Sequence, residues 1–191
     1  MNTSRPGRRP RADARRNYER LLAEADSAFR ENGTEASLEN IARRAGVAIG
    51  TLYGHFPNRR ALVGALLQDR NDVLFETGDR LLAHPSAAEA LTGWVHAVVE
   101  HAAVYRGLVA MLIDGLDDEA SELHESCVRM SAIGERLIAN AHAAGVIRHD
   151  ATGADVAALM NAAAWVREQM PEEQADRFLR FALDGLRPAG G

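Results

Sequence analysis

Apolar residues recur three and four positions apart through most of this chain, a spacing that lines one side of a helix and that no strand could bury on a single face. The clearest case is Leu123, Cys127, Met130, Gly134, Leu137 and Ala141, which step alternately by four and three until Gly145. Hydrophobic residues fill 47% of the 191 positions, ample for a packed core, yet only 5% are aromatic. The expected fold class is therefore all-α, with about nine helices.

Local signals punctuate that pattern. Residues 1–12 read as a flexible basic arm, followed by a helix from about Asp13 to Asn32 that turns Leu21, Leu22, Ala25, Ala28 and Phe29 inward. Asn32-Gly33 stops it, and Ser37 caps a short second helix through Ala45. A turn over Gly46-Val47-Ala48 leads to a third helix near Ile49–Phe56. Pro57-Asn58 breaks it before a long fourth helix to about Ala83. Ser86 and Glu89 form a capping-box signature for a fifth helix reaching Tyr105. The apolar stretch Leu108–Leu116 is expected to be buried, and the next helix to begin at Asp117 and Asp118. Thr152 and Asp155 open an eighth helix to about Gln169, Pro171 a ninth ending at Gly185, and residues 188–191 form a tail.

Charge is divided unevenly. Residues 1–60 hold twelve arginines against seven acids, while residues 61–191 hold ten against twenty, so a net −5 conceals a basic end and an acidic remainder. The basic end has the electrostatic footprint of a phosphate-binding surface. Every one of the 22 basic residues is arginine, which removes chemistry that needs a lysine, such as a P-loop or a Schiff base. Cys127 is the lone cysteine, so no intrachain disulfide can form, and a reducing, cytoplasmic setting is expected. Neither a signal peptide nor a membrane span is legible.

The stretch from Ser37 to Leu62 reads as a helix-turn-helix. Leu38, Ile41 and Ala42 form the inward face of its first helix, Gly46 supplies a positive φ for the turn, and Leu52 and Phe56 seat the second helix. Ile49, Gly50, Thr51, Tyr53 and His55 remain for the outer face, a surface sized for a major groove. The run Thr51-Leu52-Tyr53-x-His55-Phe56, followed by Pro57-Asn58-Arg59 and Ala61-Leu62, resembles the signature of the TetR family of transcriptional regulators.

That resemblance implies an amino-terminal three-helix DNA-binding domain (residues 13–60) joined to a helical ligand-binding and dimerisation domain (residues 61–187). By the same token, Tyr53 and His55 contact phosphates, as does Arg59 where relatives commonly carry lysine, and Ser37 adds a phosphate contact at its helix start. Ile49, Gly50 and Thr51 face base edges. Arg60 departs from the family's usual acid and is read as a further phosphate contact, and Arg8, Arg9 and Arg11 as minor-groove candidates. Glu39 either accepts from a cytosine amino group or projects into solvent.

The acidic half needs another task, and the resemblance implies sensing of a small-molecule effector. Trp94, Tyr105, Met111, Met130, Met160 and Trp165 are the pocket candidates. Val156, Leu159, Ala163 and Val166, with Phe178, Phe181 and Ala182, are the candidates for a homodimer interface. His96 with Glu100, and His124 with Cys127, have helical spacing for metal ligands but no third partner at motif distance, so no metal and no cofactor is expected. Two alternatives stay open at this point. One is a small all-α enzyme using the acidic half, for which no converging acid, base or nucleophile is visible. The other is a helical adaptor that kept the fold without DNA binding. The leading expectation is a non-enzymatic repressor that binds a near-palindromic double-stranded operator as a dimer and releases it on binding an effector.

Overall fold

A computed structural model describes residues 9–188, and all regular structure among them is helical. The order is α1 (Arg9–Asn32), α2 (Leu38–Arg44), α3 (Ile49–His55), α4 (Arg59–Leu82), α5 (Ala87–Ala102), α6 (Leu108–Asp117), α7 (His124–Ala143), α8 (Gly153–Gln169) and α9 (Glu172–Asp184). No helix among the described residues is long and apolar enough to cross a membrane.

Side-chain caps set the starts of α2, α4, α5 and α8. Ser37 Oγ accepts from the Asn40 amide, the Asn58 side chain from the Ala61 amide at 2.8 Å, and Ser86 from that of Glu89. Thr152 and Asp155 satisfy each other's amides in a complete capping box.

Three boundaries differ from the expectation. The first helix begins at Arg9, so residues 9–12 are helical rather than part of a flexible arm; Pro10 is tolerated because first-turn amides have no helical partner. The fifth helix stops at Ala102, leaving Tyr105 in the loop before α6, where Gly107 adopts a φ of 86°. The seventh begins at His124, because Asp117 closes α6 and the acidic stretch after it turns instead of initiating a helix. Burial of α6 is likewise partial: Leu108 and Val109 are buried, Met111 and Leu112 half-buried, and Ile113 exposed.

Two apolar cores follow. One joins α1, α2, α3 and the first half of α4 through Leu21, Phe29, Ile41, Leu52, Phe56 and Leu62, and it also takes in Tyr105, Leu108, Leu123 and Cys127. The other is built around Trp94 from α4, α5, α7, α8 and α9. The indole of Trp94 is 1% exposed and lies between two glycines. A Cβ at Gly78 would stand 2.9 Å from its ring, and one at Gly134 3.2 Å from Nε1. The repeat Leu123, Cys127, Gly134, Leu137 and Ala141 faces the cores, with Met130 half-buried beside them.

His101 is buried beside α4 with no partner for Nε2. Burial, assisted by the Arg70 guanidinium, pushes it down to about 4. Its folded-state pKa lies below the unfolded value, so the unfolded chain binds the proton first and stability falls as pH drops from about 6.5 towards 4. At ~1.4 kcal/mol per pKa unit, this one group should cost wild type about 2–3 kcal/mol between pH 7 and 4.5 relative to His101→Gln. Urea unfolding of both proteins across that range checks the difference.

Candidate nucleic-acid interface

The helix-turn-helix is built from two seven-residue helices that are too short to persist alone. Leu38, Ile41 and Ala42 bury one face of α2, and Leu52 and Phe56 anchor α3. Between them Gly46 holds a φ of 68°, which an L side chain adopts only with strain. The Arg20 guanidinium lies over this turn, with Nη1 3.6 Å from where a Gly46 Cβ would sit.

The outward surface of α3 is sparse. Gly50 and Gly54 face open space, Tyr53 is 47% exposed, and Ile49, Thr51 and His55 are half-buried along its edges. A surface with so little side-chain bulk lets another molecule approach the α3 backbone closely. His55 is not a free side chain: its ring meets Tyr18 of α1 edge-on at 5.8 Å, and Tyr18 also packs on Phe56 at 5.2 Å. The aromatic cluster fixes where α3 ends.

Several candidates stand elsewhere than the sequence implied. Arg59 is half-buried, and its Nη1 donates to the carbonyl oxygens of Thr34 and Ala36, the latter at 2.6 Å. It therefore clamps the α1–α2 loop rather than reaching outward, because those loop carbonyls have no helical donor of their own. Arg60 turns away as well, pairing with Asp114 at 3.3 Å and Asp118 at 3.1 Å next to α6. Ser37 is occupied as the α2 cap, and its hydroxyl donates to Glu39 at 2.9 Å. Glu39 folds back onto that helix start: its own backbone N–H, then the Ser37 hydroxyl, hold its carboxyl below the usual range. Arg8 lies outside the described residues, and the Arg9 and Arg11 side chains are likewise outside them.

Two arginines that the sequence did not single out take the outward positions. Arg20 bonds Asn17 and Arg43 bonds Asn40, neutral amides in both cases, whereas Arg15, Arg16, Arg30 and Arg44 are paired with carboxylates. The signal lay in spacing: each has an asparagine three residues earlier on the same helix face. The acid four residues before Arg43 is Glu39, which is turned back onto Ser37 instead.

The six pocket candidates are dispersed. Trp94 belongs to the core, and Tyr105 sits at the junction of the two cores, edge-on to Phe29 and donating to Asp26 at 2.6 Å. Met111, Met130 and Met160 are half-buried, while Trp165 is 56% exposed. Clefts of about 440, 590, 510 and 500 Å³ open on the surface, and none of these is walled by the six. Of the six, only Trp94 and Tyr105 fill the interior, at 1% and 2% exposure.

Among the interface candidates, Val156 and Ala163 face that interior and are 1% and 2% exposed. Leu159, Val166 and Ala182 are half-buried, and Phe178 and Phe181 are exposed. Cys127 is buried, its thiol pushed up to about 11 by burial, so it is not held as a reactive thiolate.

If Arg59 acted only on DNA, its removal would leave stability intact. The clamp instead predicts that Arg59→Gln lowers unfolding free energy by about 1–3 kcal/mol, read as a lower urea midpoint without DNA present.

Comparison with known proteins agrees with this geometry. Residues 21–66 match the family model described as bacterial regulatory proteins, tetR family, and residues 86–188 match that of the transcriptional regulator SbtR-like C-terminal domain. The crystal structure of the TetR transcriptional regulator SCO0520 from Streptomyces coelicolor is 34% identical, with a TM-score of 0.59, over 91% of this chain and 99% of that one. The TetR transcription regulatory protein from Mycobacterium vanbaalenii is also 34% identical, with a TM-score of 0.52, over 93% and 99%. The HTH-type transcriptional regulator TtgR of Pseudomonas putida is 39% identical over 75 residues, 39% of this chain. That match spans 34% of the length of TtgR.

Proposed function

The chain belongs to the TetR family of DNA-binding transcriptional regulators, and from that premise we propose that it is a cytoplasmic repressor. It binds a near-palindromic operator as a homodimer and releases it when a small molecule binds the acidic part. Residues 13–60 form its DNA-binding domain and residues 61–187 its sensor and dimerisation domain. No catalytic step is assigned to it.

The observation that carries this reading is the bare outer surface of α3, where Gly50 and Gly54 flank Thr51 and Tyr53 above a buried anchor of Leu52 and Phe56. In a major groove, Thr51 meets a thymine methyl or a base edge, Gly50 lets backbone approach, and Tyr53 donates to a phosphate. Arg20 and Arg43 take the phosphate roles that Arg59 and Arg60 do not fill, and His55, held by Tyr18, positions the end of α3. Arg8, Arg9 and Arg11 remain the minor-groove proposal.

Pairing of two copies uses the outer faces of α8 and α9. Trp165, Met170, Phe178 and Phe181 are 56%, 43%, 38% and 68% exposed there, flanked by half-buried Leu159, Val166 and Ala182. The two helices are joined through buried Val156, Ala163, Ala164 and Leu179, with ion pairs from Arg167 to Glu172 and Asp176 at their edge. A patch of that kind is what an isologous interface buries.

Fluorescence anisotropy on DNA from the protein's own upstream region, over a salt series, tests operator binding. Tyr53→Ala should weaken binding about tenfold or more, and Arg43→Ala should also flatten the salt dependence. Binding unchanged by both would overturn the assignment of α3 and α2. For the dimer, Phe181→Glu should shift sedimentation velocity to a monomer and reduce operator affinity with it; a dimer that persists sinks the proposed face.

A further inference from the structure

A cleft of about 590 Å³ runs between α4 and α7 and is closed at one end by Tyr18, His55 and Phe56. It thus touches the end of the recognition helix on one side and the larger helical part on the other. It lies away from the α8–α9 face, and none of the six side chains singled out above as pocket candidates lines it.

Its lining contains an unfinished hydrogen bond. Asn71 is 7% exposed, its Nδ2 donates to Ser126 Oγ at 3.0 Å, and its Oδ1 has no donor in the structure. A buried amide oxygen left in this state is destabilising unless an incoming N–H or O–H meets it.

Acids outnumber bases around it. Asp72, Glu122 and Glu125 line the cleft against a single guanidinium, that of Arg129. Arg129 is already engaged, lying 4.1 Å over the Phe75 ring and 3.7 Å from Asp79. Glu122 accepts from Asn58 at 3.0 Å, whereas Asp72 and Glu125 have no hydrogen-bond or ion-pair partner among the described residues. Phe56, Phe75 and Ala65 give the walls an apolar body. An acceptor in the lining, two uncompensated carboxylates and aromatic walls disfavour an anion and leave a neutral molecule with nothing to pair against the acids.

We propose that this cleft binds a protonated organic amine, its N–H donating to Asn71 Oδ1, its charge facing Asp72 and Glu125 and its apolar part lying against Phe56 and Phe75. Resting on the DNA-binding reading above, occupancy also changes operator affinity, because the ligand touches His55 and Phe56 where α3 ends.

Isothermal titration calorimetry of the full chain with 2-phenylethylammonium chloride tests the site without DNA. The expected result is saturable binding with Kd below about 1 mM, with the neutral isostere 2-phenylethanol at least about tenfold weaker. Asn71→Leu, which removes the orphaned amide at similar volume, and Glu125→Gln on the exposed rim should each weaken the ammonium about tenfold, with circular dichroism confirming both folds. No saturable binding, equal binding of the alcohol, or unchanged affinity in both variants overturns the site. Operator anisotropy with and without the ammonium is read separately. Failure of the ligand-free protein to bind DNA at all would refute the repressor reading while the calorimetry still decides the cleft.

Discussion

Everything in this fold depends on α4 serving two cores at once. Its first turns bury Leu62, Val63 and Leu67 among the residues of α1, α2 and α3, and its later turns bury Leu74 and Phe75 against Trp94 and α7. A helix is a stiff connector, so the orientation of the amino-terminal helices is fixed by how α4 sits in the larger core. Gly78 is part of that fit. Only a residue without a Cβ lets α4 approach the Trp94 ring, and a larger one there would move the whole lever.

The second junction is a short contact between backbones. The Thr34 amide donates to the Arg106 carbonyl at 2.9 Å, a Cβ at Gly33 would meet that same oxygen at 2.7 Å, and one at Gly107 would meet the Thr34 hydroxyl at 2.7 Å. The α1–α2 and α5–α6 loops can therefore touch only because both glycines are bare. Arg59 stiffens one loop from α4, and Glu168 of α8 accepts from the Gly107 amide at 3.2 Å on the other. Hydrogen bonds thus run from α8 to Gly107 and, at the adjoining loop, from Thr34 to Arg106 and from Arg59 to Thr34 and Ala36.

Much of what is local was legible in the sequence. Helical spacing, Ser37, Ser86 and the Thr152–Asp155 box, Gly33 and Gly145 at helix ends, and the Gly46 turn all depend on residues within about four positions of each other. It concealed what is long-range. Arg59 finds its acceptors 23 and 25 residues away and Arg60 its acids 54 and 58 away, so both looked like outward cations. Trp94 and Trp165 occupy similar helical contexts, yet Gly78 and Gly134 make a slot for the first, while the described residues leave the second 56% exposed. The same limit explains Val156 and Ala163, whose stripe serves the chain's own core before any partner.

The balance between the apolar and polar junctions decides what kind of motion the fold permits. Tyr105, Leu108, Leu123 and Cys127 belong to the same apolar cluster as Leu21, Phe29 and Leu62, so separating the amino-terminal helices from α6 and α7 would expose fully buried side chains. That cost rules out free hinging. The polar ties beside it, Arg60 to Asp114 and Asp118 and Asn58 to Glu122, lie at the surface and contribute at most about 1 kcal/mol each. A small rotation of α4 that keeps the apolar cluster closed while exchanging these ties is therefore the inexpensive displacement. Such a rotation reaches α3 through the shared cluster in which Leu52 and Phe56 are buried with Leu62, Val63 and Leu67 of α4. On the dimeric, ligand-released reading proposed above, a ligand needs to favour one register of these ties by only a few kcal/mol to change how the two copies of α3 are presented.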